Sequence, residues 1–225
     1  MDISFITQHI SSFLSGTLIT IELMLFALAL GLILAVIFTI CSYIKLKIVK
    51  FLIYIYTFVI RGTPLLVQIF IIYYGSSQFD FIRDSFMWNI LKSPFGCAVI
   101  ALAINSSGYC TTLFRGLINS IPKGEFEACK VLGMSKLQMI SKIIAGRLLR
   151  IALPAYSNEV IIILKSTSLA STITIMDLMG VTHELISETY KTLPYLLVAG
   201  ICYLLINMVI IKIFRILEKS VAIPH

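Results

Sequence analysis

The chain has 225 residues, of which 59% are hydrophobic and only 13% are charged, and its mean hydropathy is +0.99. Soluble domains carry about 25% charged residues, so this composition excludes an ordinary soluble protein and predicts an integral membrane protein, whose expected fold is all-α. The net charge of +7 would suit a nucleic-acid partner. The basic residues lie between the hydrophobic runs, however, which indicates membrane orientation instead.

Five hydrophobic segments are long enough to cross a membrane, since a spanning helix needs roughly 20 apolar residues. In chain order they are 23–41 (with a helix start near residue 16), 51–75, 93–114, 151–174 and 192–211. The second contains Arg61, the fourth contains Glu159 and Lys165, and the other three are uncharged. Together they predict one transmembrane domain over residues 13–214 of about five helices.

The basic residues predict the orientation. Thirteen of the 18 lie after the first, third and fifth segments, which all fall on one side of the membrane. The opposite side has two predicted loops, 76–92 and 175–191, with fewer basic residues. The positive-inside rule therefore predicts an extracytoplasmic N-terminus and a cytoplasmic C-terminus.

The long cytoplasmic loop, residues 116–150, carries signals for two short helices. Pro122 suits the first position of a helix, and Gly133 supplies the left-handed stop that ends one. Ser135 and Gln138 match the capping box that starts a second helix. These local signals are compatible with a rigid element that transmits motion and equally with an ordinary surface hairpin of helices.

The same loop resembles the EAA loop of binding-protein-dependent ABC importers. Residues 124–129 read Gly-Glu-Phe-Glu-Ala-Cys, and Leu132-Gly133 and then Ala152-Leu153-Pro154 follow. The family pattern is roughly E-A-A, three residues, G, and later I-x-L-P, so a cysteine here replaces the second alanine. The resemblance implies that the loop docks on a separate ATPase subunit. The coupling residues it implies are Gly124, Glu125, Glu127, Ala128, Cys129 and Gly133.

A second motif resembles the polar amino-acid permeases of that family. Residues 61–68 read Arg-Gly-Thr-Pro-Leu-Leu-Val-Gln, like the RGTPLLVQ signature of the group, and stretches 102–109, 157–160 and 165–170 are similar to it too. The chain looks closest to permeases for basic amino acids, in particular the M-type subunits of arginine transport. Thr111-Thr112 stands where many relatives carry an acidic residue, which is a departure from the glutamine and glutamate permeases.

The resemblance implies a MetI-like, type-I importer fold in the bacterial inner membrane. It also implies four kinds of partner: a second permease subunit, identical or homologous, ATPase subunits that bind ATP-Mg, an extracytoplasmic amino-acid-binding protein, and membrane lipid. The chain itself is expected to hold no cofactor or metal and to catalyse no reaction, since it has no P-loop.

The expected function is to form the membrane path of an ATP-driven importer for arginine or other basic amino acids. The alternatives are a permease for another polar amino acid, such as histidine or glutamine, and a stand-alone channel or ion-coupled transporter. A membrane-embedded enzyme would need a set of acid, base or metal-binding groups within the spans, and the sequence shows no such spacing.

Four polar residues within the spans are candidates for the substrate path: Asn105, Asn158, Glu159 and Arg61. Charges in a span are costly and usually face a cavity or a partner. Glu159 and Asn158 could hold a cationic side chain through charge-assisted hydrogen bonds. Glu159 and Asn105 could equally be ties between helices. Arg61, close to the helix-breaking Pro64, could attract a substrate carboxylate or neutralise a glutamate.

Overall fold

The structure is a computed structural model that describes residues 9–135 and 138–221, without the side chains of residues 140 and 141. Over these residues the secondary structure is helical. The elements in chain order are α1 (Ile10–Ser42), α2 (Lys47–Gly62), α3 (Leu65–Ser76), α4 (Asp80–Arg83), α5 (Trp88–Leu91), α6 (Pro94–Asn119), α7 (Lys123–Val131), a π-helical segment (Met139–Ile144), α8 (Ala145–Ser166), a 3₁₀ segment (Thr167–Ile173), α9 (Leu178–Thr189) and α10 (Thr192–Val221).

Helices α1, α6 and α10 are each long and apolar enough to cross a membrane. Two further stretches pass the same test only as bent pairs. Helices α2 and α3 meet at 105°, and the stretch 142–173, which contains α8, meets α9 at 48°. Counting each bent pair as one span gives five in the described chain, which agrees with the number predicted from the sequence.

Pro64 causes the bend between α2 and α3. Proline has no N–H to continue the helical ladder and disfavours helical backbone at the preceding residue. Thr63 and Pro64 accordingly adopt extended backbone, with ψ angles of 144° and 134°. The second span is therefore a broken helix, as Pro64 predicts, and the break lies next to Arg61.

The prediction of a loop over residues 175–191 was wrong, because most of this segment is helix α9. Asp177 caps the helix by accepting a hydrogen bond from the Gly180 N–H at 2.9 Å. The Leu178 N–H donates to the Thr20 hydroxyl of α1 at 3.0 Å. A helix capped at its start and tied to α1 replaces the expected loop because these two bonds satisfy its first N–H groups.

Helix α6 lies at the centre of the molecule and packs against α1, α2, α3 and α8. Of its most apolar stretch, 61% is buried, against 11% for α10. Small side chains permit close approach of helices in a membrane. A Cβ built on Gly31 of α1 would lie only 3.1 Å from the Ala103 carbonyl oxygen of α6. The core therefore forms around α6, while the rest of the described chain leaves most of the α10 surface uncovered.

Candidate functional site

The broken span is docked on α6 through polar contacts. The Gln68 amide nitrogen Nε2 donates to the Ile60 carbonyl oxygen at 2.8 Å, to the Thr63 carbonyl oxygen at 3.2 Å and to the Thr63 hydroxyl at 2.8 Å. Its Oε1 accepts from Asn105 Nδ2 at 3.0 Å. Gln68 of α3 therefore bonds to the backbone that precedes Pro64 and to a side chain of α6.

Asn105 is buried, and its amide bonds to another side chain of the same molecule. This is the geometry of an interhelical hydrogen bond, one of the two interpretations that the sequence left open. Gln68 was not singled out by the sequence reasoning, although it ends the RGTPLLVQ motif. The available signal was its position four residues after a proline inside a span, where carbonyl groups need a donor.

Arg61 is exposed at the C-terminal end of α2 and leans on α6. Its guanidinium carbon lies 5.4 Å from the centre of the Tyr109 ring, and its Nη1 donates to the Thr112 hydroxyl at 3.4 Å. The Tyr109 hydroxyl donates to the Arg61 carbonyl oxygen at 3.5 Å. Arg61 makes no ion pair with a carboxylate among the described residues, so the suggested glutamate partner is not seen there. These three side chains line a groove at the protein surface.

Glu159 and Asn158 do not converge. Glu159 is buried against α6, next to Ser106 and Cys110, whereas Asn158 is exposed on α8. Adjacent residues of an α-helix point about 100° apart, at 3.6 residues per turn, so the side chains face different surroundings. Within the described chain, the Glu159 Oε1 atom is buried and accepts no hydrogen bond. The two side chains therefore cannot both bind one cationic group in this conformation.

The stop at Gly133 is confirmed, and it ends α7. Gly133 has a φ of +69°, in the left-handed region that glycine tolerates best. Its N–H donates to the Lys130 carbonyl oxygen and the Met134 N–H donates to that of Cys129, both at 3.0 Å. This pair of bonds is a Schellman motif, which satisfies carbonyls at a helix end. The helix begins at Lys123, directly after Pro122 rather than on it.

The capping box is also confirmed, but the second helix of the loop is not a separate short one. The Ser135 N–H donates to Gln138 Oε1 at 2.9 Å, and the Gln138 N–H donates to the Ser135 hydroxyl at 3.3 Å. The chain then continues as the π-helical segment directly into α8. Residues 136 and 137 of this loop lie outside the described residues. From Met139 onward the π-helical segment and α8 follow each other without a break.

An ion pair joins α7 to α8. Arg147 of α8 bonds to Glu125 of α7, and the two side chains line a cleft with the basic residues Lys142 and Arg150. A displacement of α7 is therefore opposed by a contact to α8 as well as by the chain connection.

The coupling residues implied by the resemblance divide between two faces of α7. Gly124, Glu127 and Ala128 are exposed, while Cys129 is buried within the molecule. Two apolar side chains at the C-terminal end of α7, those of Val131 and of the following residue Leu132, are 88% and 78% exposed. Exposed apolar groups beside small residues are suited to a protein partner. Cys129 belongs to the packed side instead.

Comparison with known proteins identifies the family. The family model described as "Binding-protein-dependent transport system inner membrane component" matches residues 27–223. The octopine transport system permease protein OccM of Rhizobium radiobacter is 42% identical over 217 residues, which is 96% of this chain and 89% of the relative. The arginine ABC transporter permease protein ArtM of Haemophilus influenzae is 40% identical over 214 residues, which is 95% of this chain and 94% of the relative.

A third relative is the histidine/lysine/arginine/ornithine transport system permease protein HisM of Salmonella typhimurium. It is 39% identical over 206 residues, which is 91% of this chain and 88% of the relative.

Solved structures confirm the fold. A chain from the crystal structure of an amino acid ABC transporter with histidines superposes with a TM-score of 0.86 at 28% identity, covering 98% of this chain and 99% of that one. A chain of the inward-facing MetNI methionine ABC transporter superposes with a TM-score of 0.70 at 14% identity, covering 99% of this chain and 100% of that one. The chain has the MetI-like type-I importer fold and belongs to the binding-protein-dependent transport system inner membrane components, the permease subunits of ABC importers.

Proposed function

We propose that this chain is the permease subunit of an ATP-driven importer of basic amino acids, with arginine as the foremost substrate. The observation that carries the proposal is the similarity, along nearly the whole chain, to relatives named for arginine and for histidine, lysine, arginine and ornithine. Arginine and lysine carry a positive side chain at neutral pH, and ornithine is a further amino acid with a side-chain amine. Arginine, lysine and ornithine thus share a basic side chain, which is the feature we propose the path recognises.

We assign Glu159 the role of pairing with the positive side chain of the substrate. A carboxylate inside a span costs a few kcal/mol unless something compensates it, and this one is buried with one oxygen unpartnered in the described chain. A cationic side chain that arrives with the substrate would supply the missing partner. Asn158, which the structure leaves exposed on α8, is proposed to line the path separately. Arg61 is proposed to meet the substrate carboxylate from the surface groove beside Tyr109.

The exposed face of α7 is the surface proposed to contact a cytoplasmic partner. Gly124 has no atom within 4 Å of a built Cβ, and Ala128 lies one turn further on, so a partner can approach the backbone closely. Glu125 links this helix to α8 through its bond to Arg147. We assign the exposed face to an ATPase subunit, which would bind ATP-Mg and push on α7.

The remaining partners complete the transporter. A second permease subunit, identical or homologous, would cover the exposed apolar surface that this chain leaves, and the path would run between the two. An extracytoplasmic amino-acid-binding protein would deliver substrate on the side of α4, α5 and α9. The orientation proposed here has the N-terminus on that side and the C-terminus in the cytoplasm, which follows from the distribution of basic residues.

Growth of a bacterial strain tests this proposal. The strain should require external arginine and lack its own importers of basic amino acids. Expression of this permease with its ATPase and binding-protein partners should restore growth on low arginine, and omission of the ATPase should abolish it. Growth without the ATPase would contradict the proposal in favour of a channel or an ion-coupled transporter.

Histidine and glutamine are the competing substrates. The relative named for histidine, lysine, arginine and ornithine supports histidine as a second substrate. Matched growth tests in strains that require histidine or glutamine separate the two cases. Rescue on glutamine and not on arginine would overturn the assignment to basic amino acids.

A further inference from the structure

The corner between α2 and α3 is closed by side chains on both sides of its proline. In a continuous helix the N–H of residue 64 would bond to the Ile60 carbonyl oxygen, and Pro64 has none. Gln68 replaces that missing donor through its Nε2, at 2.8 Å from the Ile60 oxygen. The Thr63 hydroxyl donates to the Val59 carbonyl oxygen at 2.8 Å. The carbonyl oxygens of Val59 and Ile60 are thus bonded locally.

One face of α6 receives the corner. Asn105, Gly108, Tyr109 and Thr112 are spaced at i, i+3, i+4 and i+7, which places them along one side of a helix. Asn105 bonds to Gln68, while Tyr109 and Thr112 hold Arg61. At the middle of this row Gly108 has no side chain, and a Cβ built there would lie 2.8 Å from Ile60 Cγ2. The corner is therefore attached to α6 through residues on both sides of the break.

We propose that Gln68 is a positioning residue that keeps the α2–α3 corner docked on α6 as one rigid body throughout the transport cycle. Gln68 acts through the backbone and Asn105, and it has no contact with substrate in this assignment. The consequence is that Arg61 keeps its place over Tyr109 at the surface groove while other parts of the permease move. This inference rests on the proposed function, because transport is the process in which the corner stays closed.

The buried hydrogen bonds of Gln68 favour a corner that stays closed over one that opens as a hinge. Gln68 and Asn105 are each only 7% exposed, so little water reaches them. Opening the corner would separate Gln68 from Asn105 and from the Ile60 carbonyl oxygen with no solvent to replace those bonds, and unsatisfied polar groups are avoided within membranes. It would also remove Ile60 from the space left by Gly108.

A reversible cross-link tests rigidity directly. In a variant whose five native cysteines are replaced, Ile60→Cys and Gly108→Cys would place the two sulfur-bearing carbons close together, since a Cβ at Gly108 lies 3.2 Å from the Ile60 Cβ. Disulfides have Cβ–Cβ distances of about 3.5–4.5 Å, so a shift of a few tenths of an ångström suffices. The same protein with the disulfide reduced is the matched control.

The proposal predicts that the oxidised complex transports within about twofold of the reduced complex. A loss of more than about tenfold on oxidation, restored by reductant, would show that the corner opens during transport and would overturn the proposal. Failure of the disulfide to form under oxidising conditions would overturn it as well, because the corner would then not be docked at Gly108.

Gln68→Met tests the residue itself. Methionine keeps the length of the side chain and removes the donors and the acceptor, leaving Asn105 and the Ile60 carbonyl oxygen without this partner. We expect uptake to fall about tenfold or more with complex yield unchanged, given what unsatisfied buried groups cost. Adding the Ile60–Gly108 disulfide should restore most of the uptake, because a covalent tie supplies the same docking. Parental uptake by Gln68→Met, or no rescue by the disulfide, would contradict the assigned role.

The parental complex separates this inference from the proposed function. All rates are compared with that complex on whichever amino acid it imports. If it imports an amino acid other than arginine, the substrate assignment fails while the comparison of oxidised with reduced protein still stands. If arginine is imported and the oxidised complex is inactive, the corner proposal fails alone.

Discussion

Replacement of Gly133 by valine should uncouple ATP hydrolysis from transport. Gly133 ends α7 with a φ of +69°, and no atom lies within 4 Å of a Cβ built on it. The added side chain therefore meets no steric obstacle outside its own backbone, and the cost comes from conformation. Left-handed backbone costs an L-residue roughly 1–2 kcal/mol, and a β-branched side chain tolerates it worst.

The strain would be relieved by moving the turn, which would break its two end bonds. The Gly133 N–H and the Met134 N–H each donate at 3.0 Å, and such bonds contribute about 1 kcal/mol apiece. A local penalty of about 2 kcal/mol lowers the population of the native turn by as much as thirtyfold. The turn lies between α7 and the helical stretch that leads into α8. Displacement of the turn therefore shifts the exposed face of α7 relative to α8.

The assay is the ratio of ATP hydrolysed to substrate accumulated by the reconstituted complex. Gly133→Val should raise this ratio severalfold, or lose the ATPase from the complex, with little change in the melting temperature of the permease. Gly133→Asn is the matched control, because asparagine enters the left-handed region more easily and should couple nearly normally. A valine variant with the parental ratio, or an asparagine variant that fails equally, would refute the reasoning.

Three further predictions concern substrate charge, helix packing and membrane topology. Glu159→Gln should lower arginine uptake about tenfold or more at unchanged complex yield, because hydrogen bonds to charged groups contribute about 1.5–3 kcal/mol; parental uptake would exclude a role in substrate selection. Gly96→Ala should destabilise the permease by about 1–3 kcal/mol, since its Cβ would lie 2.2 Å from the Ile90 carbonyl oxygen, whereas Gly200→Ala, with no atom within 4 Å, should leave the melting temperature unchanged. A reporter fused within residues 76–80 should be extracytoplasmic and one at the C-terminus cytoplasmic; a cytoplasmic signal from the first would reverse the topology.

Much of the fold was predictable from the lengths of the hydrophobic segments and from the residues that cap helices or break them. The number of spans follows from hydrophobic length, and the break in the second span follows from a proline within it. The stop at Gly133 and the Ser135–Gln138 capping box follow from signals contained in a few adjacent residues. Helix α9 was missed because its segment carries several charges, although Asp177 three residues before Gly180 was a usable capping signal.

The candidate site was less predictable because it depends on contacts between distant segments. Nothing local shows that Asn105 bonds to Gln68, which lies 37 residues away, or that Arg61 rests on Tyr109. Proximity in sequence was misleading for Asn158 and Glu159, since neighbours on a helix face different directions. The burial of Cys129, in a motif whose other residues are exposed or half-buried, likewise depends on the packing of α7 and not on the motif.

Accumulation of radiolabelled arginine by proteoliposomes tests the central claim most directly. The vesicles should contain this permease with its second permease and ATPase subunits, enclose ATP-Mg on the cytoplasmic side, and receive the binding protein outside. We predict accumulation above the external concentration that needs ATP hydrolysis and is inhibited by unlabelled lysine and ornithine but not by glutamine. Equal uptake with a non-hydrolysable ATP analogue, or no arginine uptake by a complex that imports a neutral amino acid, would contradict the account.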